Sequence, residues 1–184
     1  YDGDPKMLAD PTGKRWYDMV QAGGQSGVQA AVEIILAFSK SEFPEALASL
    51  PGTPAYRAAW ETAVEAAEKY NDPGTFTAFI GYEWTSLPGG NNLHRVLVYA
   101  DGADKAGRTM PFSALDSEDP EDLWAYMEDY ENKTGGRVQA MAHNGNWGTG
   151  MMFSLRKFKG GRIDAAYART RSRWEPVYEV TQIK

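Results

Sequence analysis

The sequence predicts an α/β fold, a sheet or barrel in which strands alternate with helices. Three observations support it: helical apolar periodicity before residue 71, strand-like runs at 75–84, 93–100 and 137–143, and another helical stretch before the third run. The 184 residues are 42% hydrophobic, enough for a substantial core. The chain contains no cysteine, which excludes disulfides and thiolate metal sites.

The first 70 residues are predicted to be mostly helical. Residues 1–14 are rich in turn formers and lack a period, which predicts a loop or linker. Apolar residues then recur at spacings of three and four from Arg15 to Ser39, and the stretch GGQSG divides this region into two helices. Thr53 and Pro54 are typical of a helix start, and this helix is expected to end near Tyr70.

Strands dominate the predicted second half. TFTAFIGYEW and LHRVLVYA predict two strands, because both are rich in aromatic and β-branched residues. Asp119 is expected to cap a helix that stops at Gly135 and Gly136. RVQAMAH predicts a strand that ends on His143, and the residues from 151 to 173 predict a broken helix. EPVYEVTQI predicts the last strand.

One glutamate and the two histidines of the chain lie at the ends of predicted strands. Glu83 and His143 end theirs, at the edge where α/β barrels gather reactive side chains, whereas His94 begins one. Carboxylate and imidazole are ligands of zinc, manganese and iron. A divalent ion held by Glu83, His94 and His143 would lower the pKa of bound water and supply a hydroxide nucleophile.

This metal site requires a particular strand direction. His94 can share an edge with Glu83 only if its strand runs antiparallel to the strand of Glu83, and we predict that arrangement. The alternative is a capped or salt-bridged glutamate and two ordinary structural histidines.

Polar residues beside these positions are candidates for substrate binding. Asn92, Asn144 and Asn146 could hydrogen-bond substrate oxygens, although asparagines of this kind often serve the turn itself. Arg95 could pair with a phosphate or sulfate. On an extended strand, however, its side chain points away from that of His94, which favours a salt bridge.

The net charge and the hydropathy of the chain limit the kinds of molecule that it is expected to bind. The net charge of −6 argues against nucleic acid, and no apolar run approaches the roughly 18 residues of a membrane span. We therefore expect a soluble protein with a small-molecule substrate. The sequence leaves the oligomeric state and the compartment open.

Four segments resemble, in order, successive blocks of the bacterial DUF3604 family. They are FTAFIGYEWTSLPGGNNLHRVLVY, PFSALDSEDPEDLWAYME, AHNGNW and EPVYEVTQIK, and the resemblance spans about Tyr56 to Lys184. That family is similar in turn to the PHP superfamily of metal-dependent phosphoesterases. The resemblance implies part of a distorted (β/α)7 barrel, with a mixed sheet flanked by helices, in a bacterial periplasmic or cytoplasmic protein.

The same resemblance implies site roles. Glu83 matches a glutamate that bridges two metals, His94 matches the histidine that follows it, and His143 matches the histidine of a later turn. The His-x-His, Asp-His and Asp-x-His motifs of PHP proteins have no counterpart in a chain with two histidines. The resemblance therefore implies an internal piece of a larger PHP-like domain, inactive by itself and binding metal weakly or not at all.

Three functions follow from these observations. The leading one is a metal-dependent hydrolase of phosphate-type or related esters, with Glu83, His94 and His143 as metal ligands. A second is a glycoside hydrolase that uses Glu83 and Glu179 as its carboxylate pair. The third is a non-catalytic binding domain for carbohydrate or protein, since the chain has six tryptophans, ten tyrosines and seven phenylalanines.

Overall fold

The computed structural model describes residues 5–40, 42–48 and 50–183. The chain divides into two compact units, Tyr1–Ser49 and Leu50–Lys184. All the predicted site residues belong to the second unit. Among the described residues, no helix combines the length and the apolar character needed to cross a membrane.

The first unit is helical from Pro5 to Ser39, apart from short breaks at Asp10 and Gly23. Its helices are α1 (Pro5–Ala9), α2 (Pro11–Ala22) and α3 (Gly24–Ser39). Asp10 begins α2 by accepting hydrogen bonds from the backbone N–H groups of Thr12 and Gly13, both at 2.9 Å. The prediction of a loop over 1–14 is therefore wrong from Pro5, while residues 1–4 lie outside the described part.

The predicted division of the region from Arg15 to Ser39 into two helices is confirmed. Gly23 lies between α2 and α3 with φ 66°, a value that favours glycine and interrupts the helical path. Trp16 of α2 is buried, stacks on Phe43 and donates its indole N–H to Glu33 of α3 at 3.1 Å. Hydrogen bonds from Arg15 and Trp16 hold the pKa of Glu33 below its usual value.

The second unit is built on a mixed four-stranded sheet. Its strands are β1 (Gly81–Trp84), β2 (Arg95–Tyr99), β3 (Val138–Ala142) and β4 (Val177–Tyr178), in that order across the sheet. β1 and β3 are each antiparallel to β2, and β4 is parallel to β3. The sheet is open, with β1 and β4 at its edges. The predicted antiparallel relation between the strands of Glu83 and His94 is confirmed.

Helices α4 (Pro54–Tyr70), α5 (Ala103–Ala106), α6 (Pro120–Thr134) and α7 (Ala165–Trp174) complete this unit. The predicted caps are confirmed, since Thr53 accepts from Tyr56 N–H at 3.3 Å and Asp119 accepts from Glu121 N–H at 2.9 Å. The predicted broken helix over 151–173 is a 3₁₀ turn, a loop and then α7. The α/β class is thus confirmed, with helices beside a mixed sheet.

One face of the sheet carries the core. Strand residues alternate between faces, and β2 shows this by burying Arg95, Leu97 and Tyr99 while Val96 and Val98 are half-buried. The buried face packs on α4, α6 and α7 through a cluster of large side chains: Trp60, Trp84, Leu97, Tyr99, Trp124, Met127, Tyr130 and Trp174. The opposite face presents Glu83, Val96 and Met141, all of which retain exposure.

Candidate metal centre

The register of the sheet brings the three predicted ligands to the same end of neighbouring strands and to the same face of the sheet. Trp84 pairs with Arg95 and Arg95 pairs with Ala142, so the next residues, His94 and His143, lie opposite each other. The backbone N–H of His143 donates to the carbonyl of His94 at 3.4 Å, which continues this pairing. Glu83 pairs with Val96, two residues from His94, and therefore projects on the same face as both imidazoles.

The side chains of Glu83, His94 and His143 converge, as this strand pairing leads us to expect. Oε1 of Glu83 lies 2.7 Å from Nδ1 of His94 and 3.2 Å from Nε2 of His143. The three side chains offer ligand atoms that all lie within 4.8 Å of one another. The histidine side chains are 15% and 13% exposed and Glu83 is 45% exposed, so the group is held by its surroundings yet open on one side.

This donor set fits a divalent transition metal. Ligand bonds of 2.0–2.2 Å at tetrahedral angles place neighbouring ligand atoms roughly 3.3–3.6 Å apart. The observed separations of 2.7 and 3.2 Å, with an upper limit of 4.8 Å, reach that arrangement through shifts on the order of 1 Å. One carboxylate and two imidazoles would leave further positions of the ion open to water or substrate.

The imidazole rings of His94 and His143 face the Glu83 carboxylate through different nitrogens. Nδ1 of His94 and Nε2 of His143 both face the same oxygen of Glu83, which can accept a hydrogen bond from a protonated ring nitrogen. A metal ion would bind through the same two nitrogens, each of which would then have to carry no hydrogen. The ligand nitrogen would differ between the two histidines.

The loops that carry the histidines support each other. Asn92 is buried, and its side-chain oxygen accepts from the backbone N–H of His94 at 3.2 Å. The backbone N–H of Asn92 donates to the carbonyl of Trp147 at 3.2 Å, in the turn that follows His143. Gly148 lies so close that an added Cβ would stand 2.5 Å from the carbonyl oxygen of Asn92. The positions of both histidines thus depend on one tightly packed pair of loops.

Arg95 is placed away from the candidate metal centre. Its side chain is 1% exposed on the core face, where Nε donates to Oε1 of Glu175 at 3.0 Å. Burial lowers the pKa of Arg95, and the Glu175 carboxylate opposes that change. The same carboxylate accepts from the indole of Trp124 at 2.9 Å and from Arg171 at 3.1 Å. Arg95 is a buried structural residue, which corrects its assignment to substrate binding.

The predicted substrate-binding asparagines have structural contacts of their own. Asn92 supports His94 as described, and the exposed Asn146 exchanges two hydrogen bonds with the backbone of Gln182, at 3.1 and 3.3 Å. Asn144 is 7% exposed, and its side-chain oxygen has no hydrogen-bond partner within residues 50–183 or the other described segments. Of the four residues predicted to bind substrate, Asn144 therefore has the side chain with the fewest hydrogen bonds.

A family model described as "Protein of unknown function (DUF3604)" matches residues 1–184. The chain belongs to the DUF3604 family. This match extends beyond the part from Tyr56 onward that the sequence segments indicated. No curated protein and no solved structure matches this DUF3604 chain.

Two features beside the candidate metal centre were not predicted from the sequence. Glu179 accepts from the backbone N–H of Asn144 at 2.9 Å, although 35 residues separate them. Trp147 is 60% exposed in the turn after His143, whereas the tryptophan of the neighbouring strand, Trp84, is fully buried. Aromatic residues carry no local signal of exposure, and a contact between distant segments becomes visible only in the fold.

Proposed function

We propose that this DUF3604 chain supplies a Glu/His/His site for a divalent metal in a hydrolase of phosphate-type or related esters. The observation that carries the proposal is the convergence of Glu83, His94 and His143 at the ends of three neighbouring strands. Their ligand atoms lie within 4.8 Å of one another. These are also the three residues to which the resemblance to PHP phosphoesterases assigns metal ligation. The barrel of that superfamily, completed by further segments, is part of the same proposal.

Charge favours an anionic ester as the substrate. One carboxylate and two neutral imidazoles contribute a single negative charge, which leaves a divalent ion with a net positive charge of about one. Such an ion, when bound, makes coordinated water a nucleophile near neutral pH. The chain contributes the ligand atoms and the half-exposed edge, while zinc, manganese and iron all suit this donor set.

Metal binding is the first test. Because the resemblance implies weak binding by this chain alone, Zn²⁺ and Mn²⁺ are titrated to about millimolar concentration. The wild-type chain should show one weak site that His143→Ala, His94→Ala or Glu83→Gln weakens at least tenfold. Glu61→Gln is a matched control, because it removes an exposed carboxylate of α4. A wild-type chain that binds neither ion, or three ligand variants that bind like wild type, would refute the proposed site.

Hydrolysis is the second test. Bis(p-nitrophenyl) phosphate and p-nitrophenyl phosphate are suitable probes, because they present an anionic ester without requiring knowledge of the natural substrate. Turnover is expected of a longer protein that contains this chain, where it should depend on added metal and disappear in His143→Ala. Metal binding without turnover in that longer protein would refute the hydrolase and leave the metal site standing.

The two alternatives have weaker support. Of the six tryptophans, five are at most 4% exposed and only Trp147 is open, although Phe76, Phe153 and Tyr178 are exposed as well. Trp60 and Trp124 are buried as a core role requires, whereas Phe79 is 63% exposed. For the glycosidase, one oxygen of Glu179 already accepts a backbone hydrogen bond. Neither alternative explains why both histidines meet Glu83.

A further inference from the structure

We propose that Glu179 is a positioning residue for His143, acting through the backbone on either side of that histidine. The inference rests on the proposed metal site, since it assigns the group that holds one of the ligands in place. Glu179 follows β4, which runs parallel to β3 and beside the turn that begins at His143.

Glu179 contacts both neighbours of His143 in the chain. Its backbone N–H donates to the carbonyl of Ala142 at 2.9 Å. Its carboxylate Oε2 accepts from the backbone N–H of Asn144, also at 2.9 Å. A carboxylate acceptor makes the second bond charge-assisted and stronger than a bond between neutral groups. One residue thus fixes the peptide units before and after the imidazole.

The backbone at this point needs such support. Asn144 has φ 55° and ψ 31°, the left-handed region that side-chain-bearing residues other than Asn and Asp rarely enter. This conformation turns the chain immediately after His143. The bond from Asn144 to Glu179 favours the turn, because it satisfies a backbone N–H of a residue that is 7% exposed.

A second contact holds the same two segments together. Asn146 donates its side-chain amide to the carbonyl of Gln182 at 3.1 Å and accepts from the backbone N–H of Gln182 at 3.3 Å. The chain from Glu179 to Gln182 therefore follows the turn after His143 along its length. The position of that turn depends on this segment, with Glu179 as the charged contact nearest the ligand.

The imidazole itself lacks the usual support. A metal-binding histidine normally donates its second ring N–H to a carboxylate or carbonyl, which fixes the ring. Nδ1 of His143 is buried and has no hydrogen-bond partner among residues 5–40, 42–48 and 50–183. Its Nε2 faces Glu83, where a metal would bind. The orientation of the ring therefore depends on the backbone that Glu179 holds.

The test compares Glu179→Ala with Glu179→Gln, which keeps an acceptor oxygen at the same length. Co²⁺ is the probe, because its visible absorption reports the geometry of its ligands. Glu179→Ala should bind Co²⁺ about 10–100-fold more weakly with a changed spectrum, whereas Glu179→Gln should stay within a few-fold of wild type. Glu128→Ala, an exposed residue of α6, is the control and should match wild type.

A second readout does not need metal. In ¹H–¹⁵N spectra of the imidazoles, the His143 signals should shift or broaden in Glu179→Ala and stay in place in Glu179→Gln. If Glu179→Ala does not fold, Glu179→Asp, which is one methylene shorter, replaces it with the same expectation. Wild-type affinity, spectrum and imidazole signals in the alanine or aspartate variant would overturn the inference. Failure of the wild-type chain to bind Co²⁺ would instead refute the proposed function, and the imidazole signals would then decide the inference alone.

Discussion

His94 and His143 lie opposite each other at the ends of adjacent antiparallel strands, with their ring centroids 5.7 Å apart. The pairing follows from the register of β2 with β3, because Arg95 faces Ala142 and the next pair outward is the two histidines. Glu83 reaches the same place from β1, on the other side of β2. The candidate metal centre is therefore fixed by strand pairing, and changes that disturb the pairing or its loops should weaken metal binding.

Gly148 offers a test of the packed loops. An alanine there would place Cβ 2.5 Å from the carbonyl oxygen of Asn92, and backbone atoms on both sides cannot yield easily. We expect Gly148→Ala to push the two histidine loops apart and to weaken Zn²⁺ binding by about tenfold or more.

Gly145→Ala is the matched control for that prediction. In this case the added Cβ meets the side chain of Met152 at 3.3 Å, and a methionine can adjust. Zn²⁺ titration should rank wild type and Gly145→Ala together and above Gly148→Ala. Equal affinities for the two alanine variants would contradict the dependence on loop contact.

Glu175 offers a test of the buried charge pair. Its side chain is 2% exposed and neutralises Arg95, which is 1% exposed. Glu175→Ala would leave a guanidinium buried without its counter-charge, so we expect the free energy of unfolding to fall by about 3–5 kcal/mol. Urea denaturation measures this change.

Asp129 provides the comparison for Glu175. It pairs with Lys133 on the surface of α6, where the two side chains are 51% and 67% exposed. Asp129→Ala should alter stability by at most ~1 kcal/mol, because exposed ion pairs contribute little. Similar losses for the two variants would show that burial does not govern the Arg95–Glu175 interaction.

Acid should destabilise the second unit partly through Asp101. Burial alone would raise the pKa of this carboxyl, but hydrogen bonds from the Arg137 N–H, Lys105 and Tyr130 outweigh it and hold the pKa below the usual value. The unfolded chain then binds more protons than the folded one at low pH. The stabilisation is present above about pH 4 and is lost as the pH falls through the lowered pKa.

Asp101→Asn should flatten this pH dependence. Denaturation between pH 2.5 and pH 7 should show a smaller loss of stability on acidification in the variant than in wild type, with the largest difference near neutral pH. Asp104→Asn, which removes an exposed carboxylate of α5, should retain the wild-type slope. An unchanged slope in Asp101→Asn would exclude Asp101 from the acid response.

Asn144 offers a test of the left-handed turn. Alanine at φ 55° carries a strain of about 1–2 kcal/mol, whereas glycine adopts this conformation without a Cβ clash. We expect Asn144→Ala to be less stable than Asn144→Gly by that amount in thermal denaturation. Because both variants lose the side-chain amide, their difference reports the backbone alone, and equal stability would argue against the strained turn.

Local signals predicted the longer helices, whereas the short helices α1 and α5 were not predicted. The caps at Thr53 and Asp119 and the glycine stops at Gly23 and Gly135 act through adjacent backbone groups, so they can be recognised without knowledge of the fold. Asp10 before Pro11 is a signal of the same kind, and it would have placed the start of α2 before Arg15, where a loop was predicted.

Strand lengths and side-chain roles were harder to predict. The run at 75–84 forms ladder pairs only from Gly81, and the last run only over Val177–Tyr178, because a strand exists where a partner lies beside it. The convergence of Glu83, His94 and His143 was predicted from strand ends and strand direction, whereas the register that sets His94 opposite His143 was not. The partner of Arg95 could not be predicted, because Glu175 lies 80 residues away in the sequence.

The hairpin formed by β1 and β2 has a consequence for the order of assembly. Glu83 and His94 are joined by a local chain reversal, which costs little loop entropy, whereas His143 lies beyond α5 and α6 in the sequence. We therefore expect Glu83 and His94 to come together during folding before His143 joins them. A bound cation would therefore stabilise the protein only after the hairpin has formed. It would leave the rate of hairpin closure unchanged and slow the detachment of β3 when the protein unfolds.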